Sequence, residues 1–112
     1  MASKADIRRF QRLAEMGCIV CKTKGWFVPA QVHHIVDKGY RRLSGGHEST
    51  LPLCPWHHQG QCIDALTQAH MVEHFGPSLA LNKRAFVQEF GTERELLVMV
   101  NEELSSIEEA HS

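Results

Sequence analysis

The sequence predicts a small α+β domain in which a short β-hairpin is framed by helices. Apolar residues recur at helical spacing near both ends of the chain, in 7–14 and in 96–107. Between these segments, β-branched residues and glycine-rich turns indicate two short strands. Two ligand pairs with the spacings C-x-x-C and C-x-x-H accompany the hairpin. We expect one domain, residues 1–112, with a modest core to which a structural metal would add materially.

The first element is predicted to be a helix from about Ser3 to Met16. Ser3 is a suitable N-cap, and Asp6 occupies the capping-box position three residues later. Gly17 ends the helix and begins the turn that carries the first ligand pair. Four residues are expected to form the buried face of this helix: Ile7, Phe10, Leu13 and Ala14.

A β-hairpin with a long tip is predicted next. Residues 28–36 have strand character and contain His33 and His34, residues 37–50 form a polar loop rich in glycine, and 50–53 form the second strand. Successive side chains on a strand point to opposite faces. One histidine is therefore expected to face a metal and the other a substrate, unless the strand bends there.

The second ligand pair is predicted to open another helix. Cys54 precedes Pro55, and proline suits the first turn of a helix because its missing N–H would be unpaired there anyway. His58 then lies in that first turn, close to the hairpin. Cys62, four residues later, would share its helix face and could add a soft ligand, but a small buried apolar residue is the favoured interpretation.

A helical C-terminal part, about 64–109, is expected to follow a core of about 17–64. Residues 64–75 can form a helix with His70 and His74 at i and i+4, a spacing that can bind metal. Surface or packing roles are favoured for both histidines.

Two more helices complete this part. Ser78 or Asn82 can cap a short helix that ends at Gly91, and the segment from Thr92 to Glu95 is a capping box that opens the last helix. One face of the last helix is predicted to join the core through Leu96, Leu97, Val100, Leu104 and Ile107.

The spacing of cysteine and histidine predicts a closed tetrahedral zinc site of the Cys3His type. Each ligand pair has two intervening residues, so one tight turn can present both ligands to one ion. The four predicted ligands are Cys18, Cys21, Cys54 and His57. This assignment leaves His33, His34 and His58 as the candidates for chemistry.

Two other interpretations of the cysteines are less favoured. A redox C-x-x-C usually follows an apolar strand, whereas here an amphipathic helix precedes it. Disulfides are disfavoured because the opening MASKADIRRFQRL lacks the apolar run of a signal peptide. The sequence also contains no apolar run long enough to cross a membrane.

The charges are unevenly distributed although the formal net charge is only −1. Residues 4–42 are mostly basic, and acidic residues are concentrated in 102–109. A basic half around the histidines is compatible with phosphate binding, which depends on the local potential. The candidates for phosphate contact are Arg41, Arg42, Lys83 and Arg84. An ordinary solvated surface with an acidic tail remains the alternative.

Several sequence strings carry a resemblance to a known family. HHI, followed by GGHESTLPLCPWHH, resembles the HNH nucleases with a ββα-metal core. Further strings resemble the phage Ref-type RecA-dependent nucleases more closely: AEMGCIVC, LPLCPWHHQG, GPSLA and KRAFVQEFGTERELL. The resemblance extends from about residue 4 to 101.

The resemblance implies a role for each histidine. His34 corresponds to the general base, while His33 and His58 correspond to ligands of a catalytic divalent cation, with Mg²⁺ or Mn²⁺ expected. The middle Asn of the HNH pattern is replaced here by Ser49. His47, in the loop beside it, is expected to lie at the catalytic site as an extra metal ligand or a phosphate donor. The alternative is that His47 is simply a loop residue.

The function implied by the resemblance is a metal-dependent DNA endonuclease or nickase that acts on DNA bound by RecA filaments. It also implies a phage or prophage protein in the cytoplasm of a bacterial host. Neutral imidazole suits the chemistry, since it can take a proton from water near pH 7. The competing interpretation is a non-catalytic zinc module that binds DNA or protein.

Overall fold

A two-stranded sheet lies among six α-helices in the described part of the chain. A computed structural model describes residues 2–111, except for the side chains of residues 110 and 111. The elements in chain order are α1 Lys4–Met16, α2 Ile19–Thr23, β1 Gln31–His34, β2 Thr50–Leu53, α3 Pro55–Gln59, α4 Gln68–Phe75, α5 Lys83–Phe90 and α6 Glu93–His111. A single 3₁₀ turn, Gly46–Glu48, precedes β2. This arrangement confirms the predicted α+β class.

Helix α1 begins with the predicted capping box. The Ser3 side chain accepts from the Asp6 N–H, and the Asp6 carboxylate accepts from the Ser3 N–H. At the other end, Gly17 has φ +75°, and a Cβ atom there would meet the Phe27 ring at 2.8 Å. Leu13 and Met16 are buried. The predicted burial of Ile7 and Ala14 was wrong, because α1 packs on the core through Phe10, Leu13 and Met16 and leaves those two side chains exposed.

The hairpin is antiparallel and shorter than predicted. β1 covers only the middle of the predicted 28–36 strand, and it pairs with β2 in the register His33 with Leu51 and His34 with Thr50. The pairing is regular, so the alternation of the strand places the two histidines on opposite faces. Every residue of β2 is buried. The hairpin is thus held on both sides by helices.

The C-terminal helices follow the prediction with one shift. Helix α4 begins after its N-cap Thr67, so the predicted helical start at residue 64 was wrong. The reason is that Asp64 has φ +46°, a left-handed conformation that is incompatible with a continuing helix. Thr92 and Glu95 form the predicted capping box at the start of α6. The predicted apolar face of α6 packs on the core through Leu96, Leu97, Val100, Leu104 and Ile107.

Among the described residues, no helix is long and apolar enough to span a bilayer.

Candidate metal centre and active site

Three cysteines and one histidine form a buried cluster between α2 and α3. The Nδ1 atom of His57 lies 3.2 Å from the Sγ of Cys54 and 3.6 Å from the Sγ atoms of Cys18 and Cys21. The Cys21 and Cys54 sulfurs are 3.9 Å apart. With ordinary Zn–S and Zn–N bond lengths, ligands of one tetrahedral zinc are separated by about 3.5–3.8 Å. The cluster has the dimensions of a Cys3His metal site.

Two short helices and one carbonyl group orient these ligands. Cys18 is the N-cap of α2, and its Sγ accepts from the Cys21 N–H at 3.5 Å. Cys54 is the N-cap of α3, which brings His57 round by one turn. The Nε2 atom of His57 donates to the Phe75 carbonyl at 2.7 Å. That bond leaves Nδ1 as the ligand atom, the usual way in which a neighbouring acceptor sets the orientation of a metal-binding histidine.

The cluster can hold a metal ion such as zinc. All four cysteines in the chain are unpaired thiols, so the disulfide alternative was wrong. Burial lowers the pKa of His57, but hydrogen bonds with the Cys18 and Cys54 sulfurs outweigh burial and raise that pKa to about 9. Among the side chains that the structure describes, those of residues 2–109, this is the only set of three or more His, Cys, Asp or Glu whose ligand atoms all lie within 4.8 Å of one another.

A second histidine group lies on one face of β1. The rings of His33 and His58 are 5.1 Å apart, centroid to centroid, with an angle of 73° between their planes. The Nδ1 atom of His58 lies 2.8 Å from Oε1 of Gln31, and Nε2 of His33 lies 2.8 Å from Oε1 of Glu93. The hairpin, α3 and α6 therefore each contribute a side chain to this group, which we call the His33 group.

The opposite face of β1 carries a separate pair. The Nε2 atom of His34 and the Nδ1 atom of His47 are 2.9 Å apart, and the edge of Phe10 packs against both rings. The carbonyl of His47 also accepts from the Thr50 hydroxyl. These contacts hold His47, from the loop, beside His34, from the strand.

Burial and neighbouring positive charge act on two of these histidines. Burial lowers the pKa of His34 below its ordinary value of 6.5, and Arg41 and His47 add to the effect. Burial also lowers the pKa of His58, with a further contribution from His33. Both shifts favour neutral imidazole, the form that can accept a proton or bind a metal.

The position of the missing Asn is filled by a buried serine that does not contact His34. The Ser49 hydroxyl accepts from Nη1 of Arg94 at 3.1 Å, and the Ser49 carbonyl accepts from the Ile35 N–H. Arg94 also donates to both carboxylate oxygens of Asp37, at 2.7 and 2.8 Å, and to the Ser44 carbonyl. One guanidinium group thus joins both ends of the loop between the strands to α6.

The four predicted phosphate contacts fall in two places. Arg41 and Arg42 are exposed in the loop that carries His47, and Arg41 is close enough to lower the pKa of His34. Lys83 and Arg84 are exposed at the start of α5. That helix packs instead against the metal cluster, where Phe86 and Phe90 contact the His57 ring.

The remaining candidates lie outside both histidine groups. The expectation that Cys62 shares a helix face with His58 was wrong, because helix α3 ends at Gln59. Cys62 is half-buried against the core. His70 and His74 are exposed on α4, as predicted, and His70 contacts the Thr67 hydroxyl of its own helix.

Comparison with protein-family models places the chain among known nucleases. Residues 2–105 match the family described as "Recombination enhancement, RecA-dependent nuclease". The chain belongs to this family. A comparison with curated proteins found no match. The match confirms the RecA-dependent nuclease family to which the sequence was similar, and with it an association with recombination and RecA.

Sequence reasoning missed three side chains that hold the histidines, or the loop that carries His47, in this family member. The capping-box pattern accounted for Thr92 and Glu95 but left Glu93 and Arg94 as ordinary charges of a helix start. Phe10 was identified as a core residue, and its contact with His34 was not anticipated. These contacts join residues far apart in the chain, for which a single sequence carries no signal.

Proposed function

We propose that this protein is a metal-dependent nuclease of the HNH type that hydrolyses DNA phosphodiester bonds. The observation that carries the proposal is the pairing of His33 with His58 on one face of β1 and of His34 with His47 on the other, in a chain of a nuclease family. The whole described chain acts as one unit in this proposal, because α1 supplies Phe10 to the pair of His34 and His47, and α6 supplies Glu93 to the His33 group.

The proposed Cys3His zinc is structural. All four of its ligands are buried, so water and substrate have no open position on the ion. Its role is to join α2 to α3 and so to hold His58 beside the hairpin. The adjacent His57 and His58 then serve different sites, one facing the zinc cluster and the other the His33 group.

The proposed general base is His34. The tautomer with its proton on Nε2 donates to Nδ1 of His47, which leaves Nδ1 of His34 free to take a proton from water. His47 then orients the base, in place of the Asn that is absent at Ser49. The lowered pKa of His34 keeps it neutral and able to act at neutral pH.

His33 and His58 are proposed to hold a catalytic Mg²⁺ or Mn²⁺. Their donor set fits such an ion: two imidazoles suit Mn²⁺, and a set with few protein ligands leaves the positions for water and phosphate that Mg²⁺ requires. When bound, the ion supplies Lewis-acid stabilisation of the phosphate and of the leaving oxygen. The Nδ1–H of His58 donates to Oε1 of Gln31, which leaves Nε2 of that ring as the ligand atom.

The proposed substrate is DNA held by RecA. Arg41 and Arg42 lie on the loop between the strands, which carries His47, and are suited to contact the phosphates next to the cleaved bond. Lys83 and Arg84, on α5, would contact the DNA backbone farther away.

The test of the proposed function is cleavage of plasmid and single-stranded DNA with Mg²⁺ or Mn²⁺, with and without RecA. Divalent-dependent cleavage is expected; if no DNA form is cut, RecA-coated strands included, the non-catalytic zinc module is the better interpretation.

The separation of the two metal roles gives a direct prediction. His58→Ala should retain the structural zinc and lower cleavage by roughly 10–100-fold, with partial recovery at higher Mn²⁺, because a sparse site loses one ligand. His33→Ala should behave in the same way. Zinc content by mass spectrometry and cleavage against Mn²⁺ concentration measure this. The matched neighbour His57→Ala should lose zinc; the reverse result for these two variants would show that their roles are exchanged.

Arg94 is proposed to fasten the loop that carries His47 and Arg41. Arg94→Ala should increase hydrogen exchange at the Ile35 amide and reduce cleavage, because the guanidinium group no longer joins Asp37, Ser44 and Ser49. Arg12→Ala is a suitable control, since the ion pairs of Arg12 with Glu15 and Glu108 do not involve the loop. Equal Ile35 exchange in the two variants would exclude this role for Arg94.

A further inference from the structure

The loop between the two strands exposes three large apolar side chains. Val36, Tyr40 and Leu43 have exposed fractions of 47%, 56% and 58%. A single exposed apolar residue is ordinary on a protein surface, but three in one short loop indicate a surface that contacts another molecule. We call residues 36–46 the Tyr40 loop.

The backbone of the Tyr40 loop is held by its own hydrogen bonds. The Ser44 N–H donates to the Tyr40 carbonyl at 3.1 Å, and the Gly46 N–H donates to the Arg41 carbonyl at 2.7 Å. The Lys38 N–H donates at 3.0 Å to the hydroxyl of Ser44, a residue with an exposed fraction of only 2%. The Tyr40 ring is therefore presented to solvent from an ordered backbone, which reduces the conformational entropy that is lost when a ligand binds to it.

The charges of the Tyr40 loop select a negatively charged ligand. Lys38, Arg41 and Arg42 are all exposed. The acid in 36–43 is Asp37, and both of its carboxylate oxygens accept from Arg94. The exposed side chains of the loop thus combine positive charge with apolar surface. An unpaired nucleic-acid strand has the complementary combination, because its phosphates are charged and its base faces are open to stacking on an aromatic ring.

The Tyr40 loop also lies beside the proposed general base. The hydrogen bond between Gly46 and Arg41 joins the residue that follows Tyr40 to the residue that precedes His47. The charge of Arg41 is close enough to His34 to lower the pKa of that imidazole. A strand bound by the loop would therefore pass next to the pair of His34 and His47.

We propose that the Tyr40 ring stacks on an unpaired base of the DNA while Arg41 and Arg42 bind the flanking phosphates. The inference rests on the proposed function for the identity of the ligand and deepens it, since it names unpaired bases as the feature that the protein recognises. Stacking accepts every base, because each has a π-face, so it positions a strand without reading its sequence. Tyr40 is a substrate-binding residue in this proposal, and His34 remains the base.

The first test compares two labelled strands of equal length, an oligothymidylate and an abasic strand that has the same phosphates but no bases. Binding is measured without divalent cations, so that neither strand is cut. Tyr40→Leu retains an apolar side chain but removes the aromatic face. Its Kd for the oligothymidylate should rise by roughly 5–100-fold, the range that corresponds to stacking of one base, with the Kd for the abasic strand unchanged. Tyr40→Phe should retain both wild-type values.

Two controls separate stacking from other effects. Arg42→Ala should weaken the binding of both strands alike, because a phosphate contact does not depend on the base. Trp26→Leu removes an exposed ring on a different part of the surface, where Trp26 packs its edge on Phe75. It should retain the wild-type Kd for both strands. Zinc content and a thermal melt on each variant show that the fold is retained.

The second test observes the ring directly. Tyr40 is the only tyrosine in the chain, so protein produced with fluorotyrosine gives one fluorine resonance in an NMR spectrum, from this ring. The oligothymidylate should shift that resonance, and the abasic strand at saturation should leave it nearly unchanged. This measurement uses no substitution of Tyr40, so it decides the question even if Tyr40→Leu fails to fold.

The outcomes distinguish this inference from the nuclease proposal. Equal loss of affinity for both strands in Tyr40→Leu, or a resonance that responds to both strands alike, would overturn base stacking. So would a Tyr40→Leu protein that binds the oligothymidylate normally but no longer binds RecA filaments, since the loop would then contact protein. Base-dependent binding at Tyr40 in a protein that cuts no DNA form would retain the inference and overturn the nuclease. Cleavage by a wild-type protein whose binding does not depend on bases would do the reverse.

Discussion

Cys54→Ala should lose zinc and cooperative folding together. A closed tetrahedral site does not tolerate the loss of a ligand, and structural zinc contributes on the order of 10–16 kcal/mol of binding free energy. That contribution is as large as the whole net stability of roughly 5–15 kcal/mol expected of a small domain. Cys54 also begins α3, so its loss releases the helix that carries His57 and His58. Zinc content and a thermal melt followed by circular dichroism provide the measurement.

Cys62→Ala is the matched control for this experiment. Cys62 is a half-buried thiol that packs on the same core but is not a member of the ligand cluster. It should retain zinc and a cooperative melt with a small loss of stability. A cooperative melt of Cys54→Ala, together with a wild-type protein that contains no zinc, would refute the structural metal site.

His34→Ala should retain zinc, fold and DNA affinity but lower the cleavage rate by roughly 10²–10⁴-fold, the range for a positioned general base. The contacts of the His34 ring are with His47 and Phe10, so its removal disturbs neither the zinc cluster nor the His33 group. Single-turnover cleavage and DNA binding measured on the same preparation separate the two effects. His70→Ala, an exposed histidine on α4, is the control and should cut at the wild-type rate.

The pH dependence of cleavage gives a second measurement on the same base. A general base acts in its neutral form, which for histidine exists above its pKa. Because burial, Arg41 and His47 lower the pKa of His34, activity should fall only as the pH decreases below 6.5. Arg41→Ala should raise the pH at which activity begins to fall, toward the ordinary histidine pKa of 6.5. An acidic limb above pH 6.5, or unchanged cleavage by His34→Ala, would remove His34 from the mechanism.

Local patterns in the sequence were sufficient for most of the elements. The capping boxes at Ser3 and Thr92 depend on hydrogen bonds over three residues, and both are present. The apolar face of α6 follows from helical periodicity. The errors, at Ile7, at Ala14 and before Thr67, concern which part of a face is covered and where a helix begins. Those details depend on neighbours that a local pattern does not contain.

The Cys3His cluster was determined by the sequence itself. Its two ligand pairs each span three residues, so chain geometry brings each pair together, and zinc chemistry requires the two pairs to meet. His33 and His34 could likewise be assigned to opposite faces of a strand from alternation alone. Their individual roles came from the resemblance to nucleases and remain predictions.

Only the tertiary structure decided which partner each histidine has. Glu93 meets His33 across 60 residues, Arg94 meets Ser49 across 45, and His47 reaches His34 from an irregular loop. Such pairs leave no periodic or spacing signal, because they arise when the packing of α6 on the hairpin places helix start and strand side by side. The sequence therefore determined the zinc cluster and the strand that carries the histidines. The packing of α1 and α6 around the hairpin decided which other side chains lie around that strand and its loop. These are the Glu93 carboxylate, the Arg94 guanidinium group and the Phe10 ring.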